Sequence, residues 1–342
     1  MLNVLVTGGA GYIGSHACKW LKMVGFNPVV LDNISTGWKD FVRFWPFVEG
    51  DLLDPAIIAS VFERYTPVAV MHFAALSLVG ESMREPARYW STNINGVLNL
   101  IGAAVRAGCL NFIFSSTCAT YGDHDGVLLD EKTLQRPINA YGASKRAIED
   151  ILQNFAASHG LRHVIFRYFN VAGADPAAEI GERHEPETHL IPLVMDAALG
   201  RRHHITIYGT DYPTFDGTCI RDYVHVCDLV EAHVLGLKWL MEGGKNEVFN
   251  LGTGSGFSVQ DVIRTAHNVT GMDFKVLKAD RRPGDAASLV SGSFRAREVL
   301  GWAPCRSSLP IMIEDAWRWH VNALAGAGAP SRSPRMREIM QK

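Results

Sequence analysis

The sequence predicts an α/β fold: a doubly wound parallel sheet followed by a smaller C-terminal α/β domain. Three observations predict it. Over residues 1–168 short β-branched runs alternate with helical patterns, an alternation satisfied by parallel strands joined through crossover helices. The first strand-like run leads straight into glycines at 8, 11 and 14, which open the first helical stretch. Past about Asn170 the rhythm breaks into loops with Gly, Pro and His, and the pieces that follow mix irregularly.

In chain order, Leu2–Val6, Pro28–Leu31, Val68–Phe73, Asn111–Ser115 and His163–Arg167 read as strands buried on both faces. Between them Ile13–Val24, Pro55–Arg64, Pro86–Ala107 and Tyr141–Ser158 read as helices, and Ala174–Glu187 as a loop. Asp228–Leu240 followed by Glu247–Asn250 reads as one more helix–strand unit that returns to the first sheet. The expected organisation is a first domain over 1–170, joined by about 226–250, a second domain over 171–324, and a fraying tail over 325–342.

Composition narrows the class. The 342 residues correspond to about two domains, and 47% apolar with 20% charged residues is ordinary globular usage. A formal net charge of −2 offers no positive field, so neither nucleic acid nor an anionic membrane is an expected partner. No run approaches the ~20 apolar residues of a membrane helix, and the N-terminus lacks a secretion signal. Six cysteines without a C-x-x-C pair fit the reducing cytoplasm. His184, His189, His203 and His204 are irregularly spaced, so they read as solvated side chains and no metal is expected.

The glycine loop carries the first chemistry. Gly8 allows a sharp turn, Gly11 lets backbone approach a pyrophosphate, and Gly14 allows close helix–sheet packing. The helix N-terminus adds N–H groups and positive dipole. Asp32 ends the second strand 18 residues past Gly14. A carboxylate there accepts both ribose hydroxyls and repels a 2′-phosphate, so this Rossmann-type unit is expected to take NAD. Asp51, after a short strand, could reach the adenine amino group or cap the helix that opens near Asp54-Pro55; both readings stand. His72-Phe73-Ala74-Ala75 ends a strand at the carboxyl edge, where ligands sit in such sheets. His72 itself reads as a packed histidine.

Tyr141 and Lys145 stand four residues apart, on one face at the start of a helix. A phenol of pKa ~10 is a poor base at neutral pH, and a nearby ammonium favours its phenolate. Thr117 lies 24 residues earlier, at the end of a strand, where its hydroxyl can hold a substrate oxygen. Glycine loop, threonine and Tyr/Lys pair in this order form more than a chance match.

Further blocks complete a resemblance that runs from Val4 to about His320. They are Val6-Thr7-Gly8-Gly9-Ala10-Gly11-Tyr12-Ile13-Gly14-Ser15-His16, Leu31-Asp32-Asn33, Val79-Gly80-Glu81-Ser82 and Ser115-Ser116-Thr117-Cys118-Ala119-Thr120-Tyr121-Gly122. Later come Arg167-Tyr168-Phe169-Asn170, Tyr208-Gly209-Thr210-Asp211-Tyr212, Asp216-Gly217-Thr218 and Arg221-Asp222-Tyr223-Val224-His225-Val226. Asn250-Leu251-Gly252-Thr253-Gly254 and Arg281-Arg282-Pro283-Gly284-Asp285 close the set. With these blocks the chain resembles the extended short-chain dehydrogenase/reductases, and within them the UDP-glucose 4-epimerase family.

The resemblance implies tightly held NAD and interconversion of UDP-glucose and UDP-galactose by transient oxidation at sugar C4. It maps Tyr141 onto the catalytic base, Lys145 onto its activator and Thr117 onto the assisting hydroxyl. It places Gly8, Gly11, Tyr12, Ile13, Gly14, Asp32, Asn33, Asp51, Leu52, Phe73, Ala74, Ala75, Asn93 and Phe169 on the cofactor, together with Tyr141 and Lys145. Asn170, Leu190, Arg221, Arg282 and Asp285 fall on UDP-sugar contacts, along with Thr117. Two arginines suit a diphosphate; the plainer reading pairs them with Asp222 or Asp285. The resemblance also implies a homodimer built on the helices over Pro86–Ala107 and Tyr141–Ser158.

The chain departs from the family pattern at two points, and a third position bears on sugar size. Ala75-Leu76-Ser77 stands where many members have Gly-Leu-Lys, and His189 where an Asn often precedes the Leu-x-Pro block. Leu289 occupies the position that limits the sugar pocket. Epimerisation of UDP-xylose and UDP-arabinose, or of UDP-N-acetylglucosamine, is the alternative reading. A nucleotide-sugar dehydratase would carry an Asp-Glu pair after the threonine, where this chain has Cys118-Ala119. A non-catalytic NAD-binding protein would be expected to lack Tyr141 or Lys145.

Overall fold

The computed structural model describes residues 1–43, 45–124, 126–282 and 285–326. Most of the tail predicted over 325–342 therefore lies outside the described residues, as do Pro283 and Gly284.

In chain order the strands are β1 (Asn3–Thr7), β2 (Asn27–Asp32), β3 (Phe47–Glu49), β4 (Ala69–His72), β5 (Asn111–Thr117), β6 (Arg162–Tyr168) and β7 (Asn170–Ala172). Then follow β8 (Ile205–Tyr208), β9 (Ile220–His225), β10 (Glu247–Leu251), β11 (Gly256–Ser258), β12 (Val276–Ala279) and β13 (Ser288–Leu289). The helices are α1 (Tyr12–Met23), α2 (Pro55–Tyr65), α3 (Val79–Arg84), α4 (Pro86–Trp90), α5 (Gly96–Arg106) and α6 (Ala140–His159). The later ones are α7 (Leu190–Ala198), α8 (Val226–Met241), α9 (Val259–Thr270), α10 (Arg295–Leu300) and α11 (Leu309–Gly326).

Among the described residues seven parallel strands form the main sheet, in the order β10-β6-β5-β4-β1-β2-β3. The order reverses between β1 and β4, and in open sheets of this kind the crevice at that point, outside the strand carboxyl ends, takes ligands. Two apolar cores flank the sheet. One packs α1 and α8 against Val4, Val6, Ile113, Phe166 and Phe249; the other packs α2, α5 and α6 against Leu5, Val70, Phe112 and Ile165. Strand residues of alternate parity face opposite sides, so both faces are apolar and the strands read as continuous hydrophobic runs.

β10 adds to β6 in parallel register, and α8 supplies the crossover before it. A third core unites α7, α9 and α11 around Val194, Val262, Met312 and Ile313. Two small sheets, β11-β9-β13 with β7 beside β9, and β12-β8, complete this part.

The helix predicted over Pro86–Ala107 is in three pieces. A π turn at Ser91–Asn95 separates α4 from α5. The wider turn carries Asn93, which is buried and engaged with Leu76 and Ser144; π turns recur where a helix must aim one side chain.

Candidate active site

The carboxyl ends of β1, β2, β4, β5 and β6 open onto one cavity of about 480 Å3, within the range of small-molecule sites. Gly8, Gly11, Tyr12, Ile13 and Gly14 form part of its wall. Gly8 has φ +75°, and a Cβ there would lie 2.5 Å from the backbone nitrogen of Ala74. A Cβ on Gly14 would lie 2.1 Å from the carbonyl oxygen of Gly8. Gly14 is therefore required by the loop's own close fold, not by helix–sheet packing as the spacing predicts. Gly11 precedes α1 as its N-cap and supplies no side-chain cap, which leaves the first N–H groups of α1 uncapped at the cavity.

Asp32 ends β2 and accepts hydrogen bonds from the Ala10 N–H at 3.0 Å and the Ile34 N–H at 2.8 Å. Burial raises its carboxyl pKa, against the pull of those two N–H groups. Beside it the Asn33 amide donates to Asp51 at 2.8 Å, and Leu52 completes this end of the cavity. The two readings of Asp51 separate here. Asp54 caps α2 by accepting from the Ala56 N–H at 2.9 Å, and Asp51 is left to line the cavity. Phe73, Ala74 and Ala75 line it from the end of β4. His72 is buried against Phe112 and Phe114 with Nδ1 2.7 Å from the Thr7 hydroxyl, so it packs in the core.

Tyr141 and Lys145 enter from the first turns of α6, whose start is set by Asn139 accepting the Gly142 N–H at 2.8 Å. Lys145 Nζ donates to the Ser115 carbonyl at 2.9 Å and sits 4.9 Å over the Phe114 ring. Burial pushes its pKa down to about 7, opposed by the Glu149 carboxylate. Burial raises the Tyr141 phenol above its ordinary value, while its hydrogen bond to Thr117 pulls the other way. Thr117 ends β5, and its hydroxyl oxygen also accepts the Ala119 N–H at 3.1 Å. Thr117 and, 24 residues further on, the Tyr141/Lys145 pair line the same cavity.

At the far end Phe169, Asn170, Arg221, Asp285 and Leu289 line the cavity. Arg221 donates to the carbonyls of Ile220 at 2.8 Å and Ala286 at 2.9 Å, and stands 3.7 Å from Asp285. Asp222 is not its partner; it accepts from Thr253, Gly254 and Ser291.

Three predicted residues do not line the cavity. Asn93 holds the loop behind it, accepting from the Leu76 N–H at 2.9 Å and donating to Ser144 Oγ at 3.1 Å. Leu190 opens α7 and packs towards the third core. Arg282 is exposed, its guanidinium 3.9 Å from the Tyr208 ring centre.

Tyr168, Ser77, Glu182, His184 and His189 also line the cavity, although the sequence reading assigned them no contact there. Burial raises the Tyr168 phenol to about 12, against its hydrogen bond to Ser115. His184 and His189 are not solvated singly. His189 Nδ1 lies 2.8 Å from Glu182 and 3.3 Å from Glu187, and His184 Nδ1 lies 3.3 Å from Glu187. Burial disfavours the His189 cation, but the two carboxylates hold its pKa up to about 10. The signal in the sequence was three Glu and two His within eight residues.

Residues 4–252 match the model of the NAD-dependent epimerase/dehydratase family. The chain belongs to that family. A UDP-glucose 4-epimerase of Rhizobium meliloti is 49% identical over 93% of this chain and 97% of its own length. The crystal structure of UDP-glucose 4-epimerase from Brucella ovis in complex with NAD superposes with a TM-score of 0.91. It is 47% identical, over 94% of this chain and 99% of the other. A UDP-glucose 4-epimerase from Stenotrophomonas maltophila, solved with NAD and formylated UDP-arabinopyranose, gives a TM-score of 0.91 at 37% identity, over 96% and 100% of the two chains. The UDP-glucose 4-epimerase resemblance and the Rossmann-type α/β fold read from the sequence agree with these likenesses. Within the family match lie the glycine loop, Asp32, Thr117, Tyr141, Lys145 and Arg221, while Arg282, Asp285 and Leu289 come after it. No helix among the described residues is long and apolar enough to cross a membrane.

Proposed function

We propose that this chain interconverts UDP-glucose and UDP-galactose by transient oxidation at sugar C4, with NAD retained throughout. The observation that carries the reading is the meeting of Thr117, Tyr141 and Lys145 in the cavity that the glycine loop and Asp32 also line. The loop fits a dinucleotide: side chains are excluded at Gly8 and Gly14, and the uncapped start of α1 faces the same space as Asp32. Bound NAD supplies reversible acceptance of a hydride from the sugar carbon and its return to either face.

The protein's own groups do the rest. Tyr141 takes the proton of the 4-hydroxyl and later gives one back. Lys145, fixed by the Ser115 carbonyl, lines the same cavity as Tyr141, where an ammonium beside the phenol favours the phenolate. Thr117 orients the sugar oxygen towards Tyr141. Arg221 offers a cation to the diphosphate, and Asp285 and its carbonyl partners hold that guanidinium in place. Anchoring uridine and diphosphate while leaving the sugar loosely held lets the sugar present its opposite face. Leu289 borders the sugar end, so the product profile across UDP-glucose, UDP-N-acetylglucosamine and UDP-xylose measures how wide that end is.

The test mixes purified protein with UDP-galactose, without added reductant, and follows formation of UDP-glucose. Turnover supports the reading; no turnover with any UDP-hexose or UDP-pentose overturns it. Loss of water from the sugar would mark a dehydratase, against which Cys118-Ala119 argue because neither transfers a proton in that way.

The chain is further read as a homodimer through α4, α5 and α6. Trp90 leaves 42% of its surface exposed beside Ile94 and Ile151, and Leu98 on α5 is 39% exposed; exposed apolar surface of this kind serves association. Light scattering that finds only monomer would remove this part. The six cysteines are all free thiols, five of them buried, which supports a cytoplasmic setting.

A further inference from the structure

We propose that Glu182, His184, Glu187 and His189 bind one divalent metal ion of the zinc class, in a tetrahedral set of two imidazole nitrogens and two carboxylate oxygens. The four residues lie on the stretch between β7 and α7, spaced Glu-x-His-x-x-Glu-x-His. One ligand atom from each lies within 4.8 Å of all the others.

The separations match the geometry. Zinc–nitrogen and zinc–oxygen bonds of about 2.0–2.1 Å at tetrahedral angles put neighbouring ligand atoms about 3.3 Å apart. Ion-pair distances give three of the six edges for a set that takes one oxygen from each carboxylate. His189 Nδ1 stands 2.8 Å from Glu182 Oε1 and 3.3 Å from Glu187 Oε1; His184 Nδ1 stands 3.5 Å from Glu182 Oε1 and 3.3 Å from Glu187 Oε2, the other oxygen of that carboxylate. Each imidazole thus turns one nitrogen towards both carboxylates, Glu187 meeting the two rings through its two oxygens, so the four side chains converge instead of forming separate pairs.

Charge and burial point the same way. The carboxylates of Glu182 and Glu187 keep only 6% and 12% of their side-chain surface, and a buried anion beside a partly buried one needs cationic compensation. With both imidazoles neutral the set carries two negative charges, which a divalent ion balances. Imidazole with carboxylate, and no thiolate, suits zinc and its divalent neighbours. Such an ion would tie the strand-to-helix loop to the start of α7, where His189 stands immediately before Leu190. It would sit in the cavity wall, since Glu182, His184 and His189 line it. The proposal does not depend on the reaction assigned to the cavity.

The full-length protein, with whatever nucleotide it carries, is treated with a chelator, desalted and titrated calorimetrically with Zn2+. A parallel titration with Co2+ is read by visible absorption. One ion per chain and an intense four-coordinate cobalt spectrum are expected. His184→Ala and Glu187→Gln are expected to weaken Zn2+ binding at least about tenfold, since even outer partners of a metal site cost that much; circular dichroism confirms that each variant is folded. No saturable binding, a six-coordinate cobalt spectrum in the wild-type chain, or affinity unchanged in both variants would each overturn the proposal. In the last case the ion is bound elsewhere and the four residues form only an ion-paired cluster.

Discussion

Lys145 Nζ donates to the Ser115 carbonyl at 2.9 Å, four residues along α6 from Tyr141. The bond ties the start of α6 to β5, two residues before Thr117, so one contact sets the spacing of all three candidate catalytic groups. It also holds an ionisable amine in a buried place, and that has a measurable consequence.

Burial lowers the Lys145 pKa to about 7, against ~10.4 in an unfolded chain. Between those values the unfolded chain holds a proton that the folded chain has released, so stability rises with pH across this window. The rise from Lys145 is of order a few kcal/mol. Lys145→Met should remove it, giving a flatter dependence than the wild type between about pH 7 and pH 10. Urea unfolding of both proteins over that range decides the matter; parallel curves would contradict the assignment.

Tyr141→Phe keeps the ring and removes the proton-bearing oxygen. Turnover should fall by roughly 10²–10⁴-fold, the usual worth of a positioned acid–base group, while bound nucleotide is retained. Thr117→Val should lower kcat by less, because it removes orientation and one hydrogen bond to the phenol. Steady-state rates with nucleotide content measured alongside test both. Unchanged turnover in Tyr141→Phe would remove this residue as the base.

Arg167 and Glu149 form a buried pair at 2.6 Å, with 7% and 2% of their side chains exposed. Glu149 also accepts from Ser116 at 2.5 Å, which links the pair to β5. Removing one partner strands a charge, so Glu149→Leu or Arg167→Met should each cost about 3–5 kcal/mol. The double variant should cost much less than the sum. A double-mutant cycle by chemical denaturation measures the difference; strict additivity would show that the pair is not coupled.

Two glycines of the same loop should fail differently. A Cβ on Gly14 would meet the Gly8 carbonyl at 2.1 Å, whereas on Gly11 the nearest atom is 3.3 Å away. Gly14→Ala should therefore lower the melting temperature sharply. Gly11→Ala should leave the fold within about 1 kcal/mol of wild type but release nucleotide, because its new methyl occupies the approach to the phosphates. Thermal melts and nucleotide content of the two purified variants separate these effects.

The first sheet was legible because parallel strands buried on both faces leave continuous apolar runs, and their crossover helices leave a separate period. The returning unit at α8 and β10 was legible on the same ground. The break at Ser91–Asn95 was not, since a π turn answers to what Asn93 meets across space, Leu76 and Ser144, and not to the pattern of its own helix.

The sequence by itself determined the glycine loop, the acid at the end of β2 and the Tyr/Lys pair. Each is a short-range pattern whose geometry follows from one strand end or one helix turn. Only the tertiary structure decided which distant side chains complete the cavity. It buried Asn93 behind the wall, turned Arg282 out over Tyr208, and brought Tyr168 and the Glu182–His189 cluster into the lining. Those outcomes depend on how two cores pack across a loop, and loop side chains carry no periodicity that announces the direction in which packing will aim them.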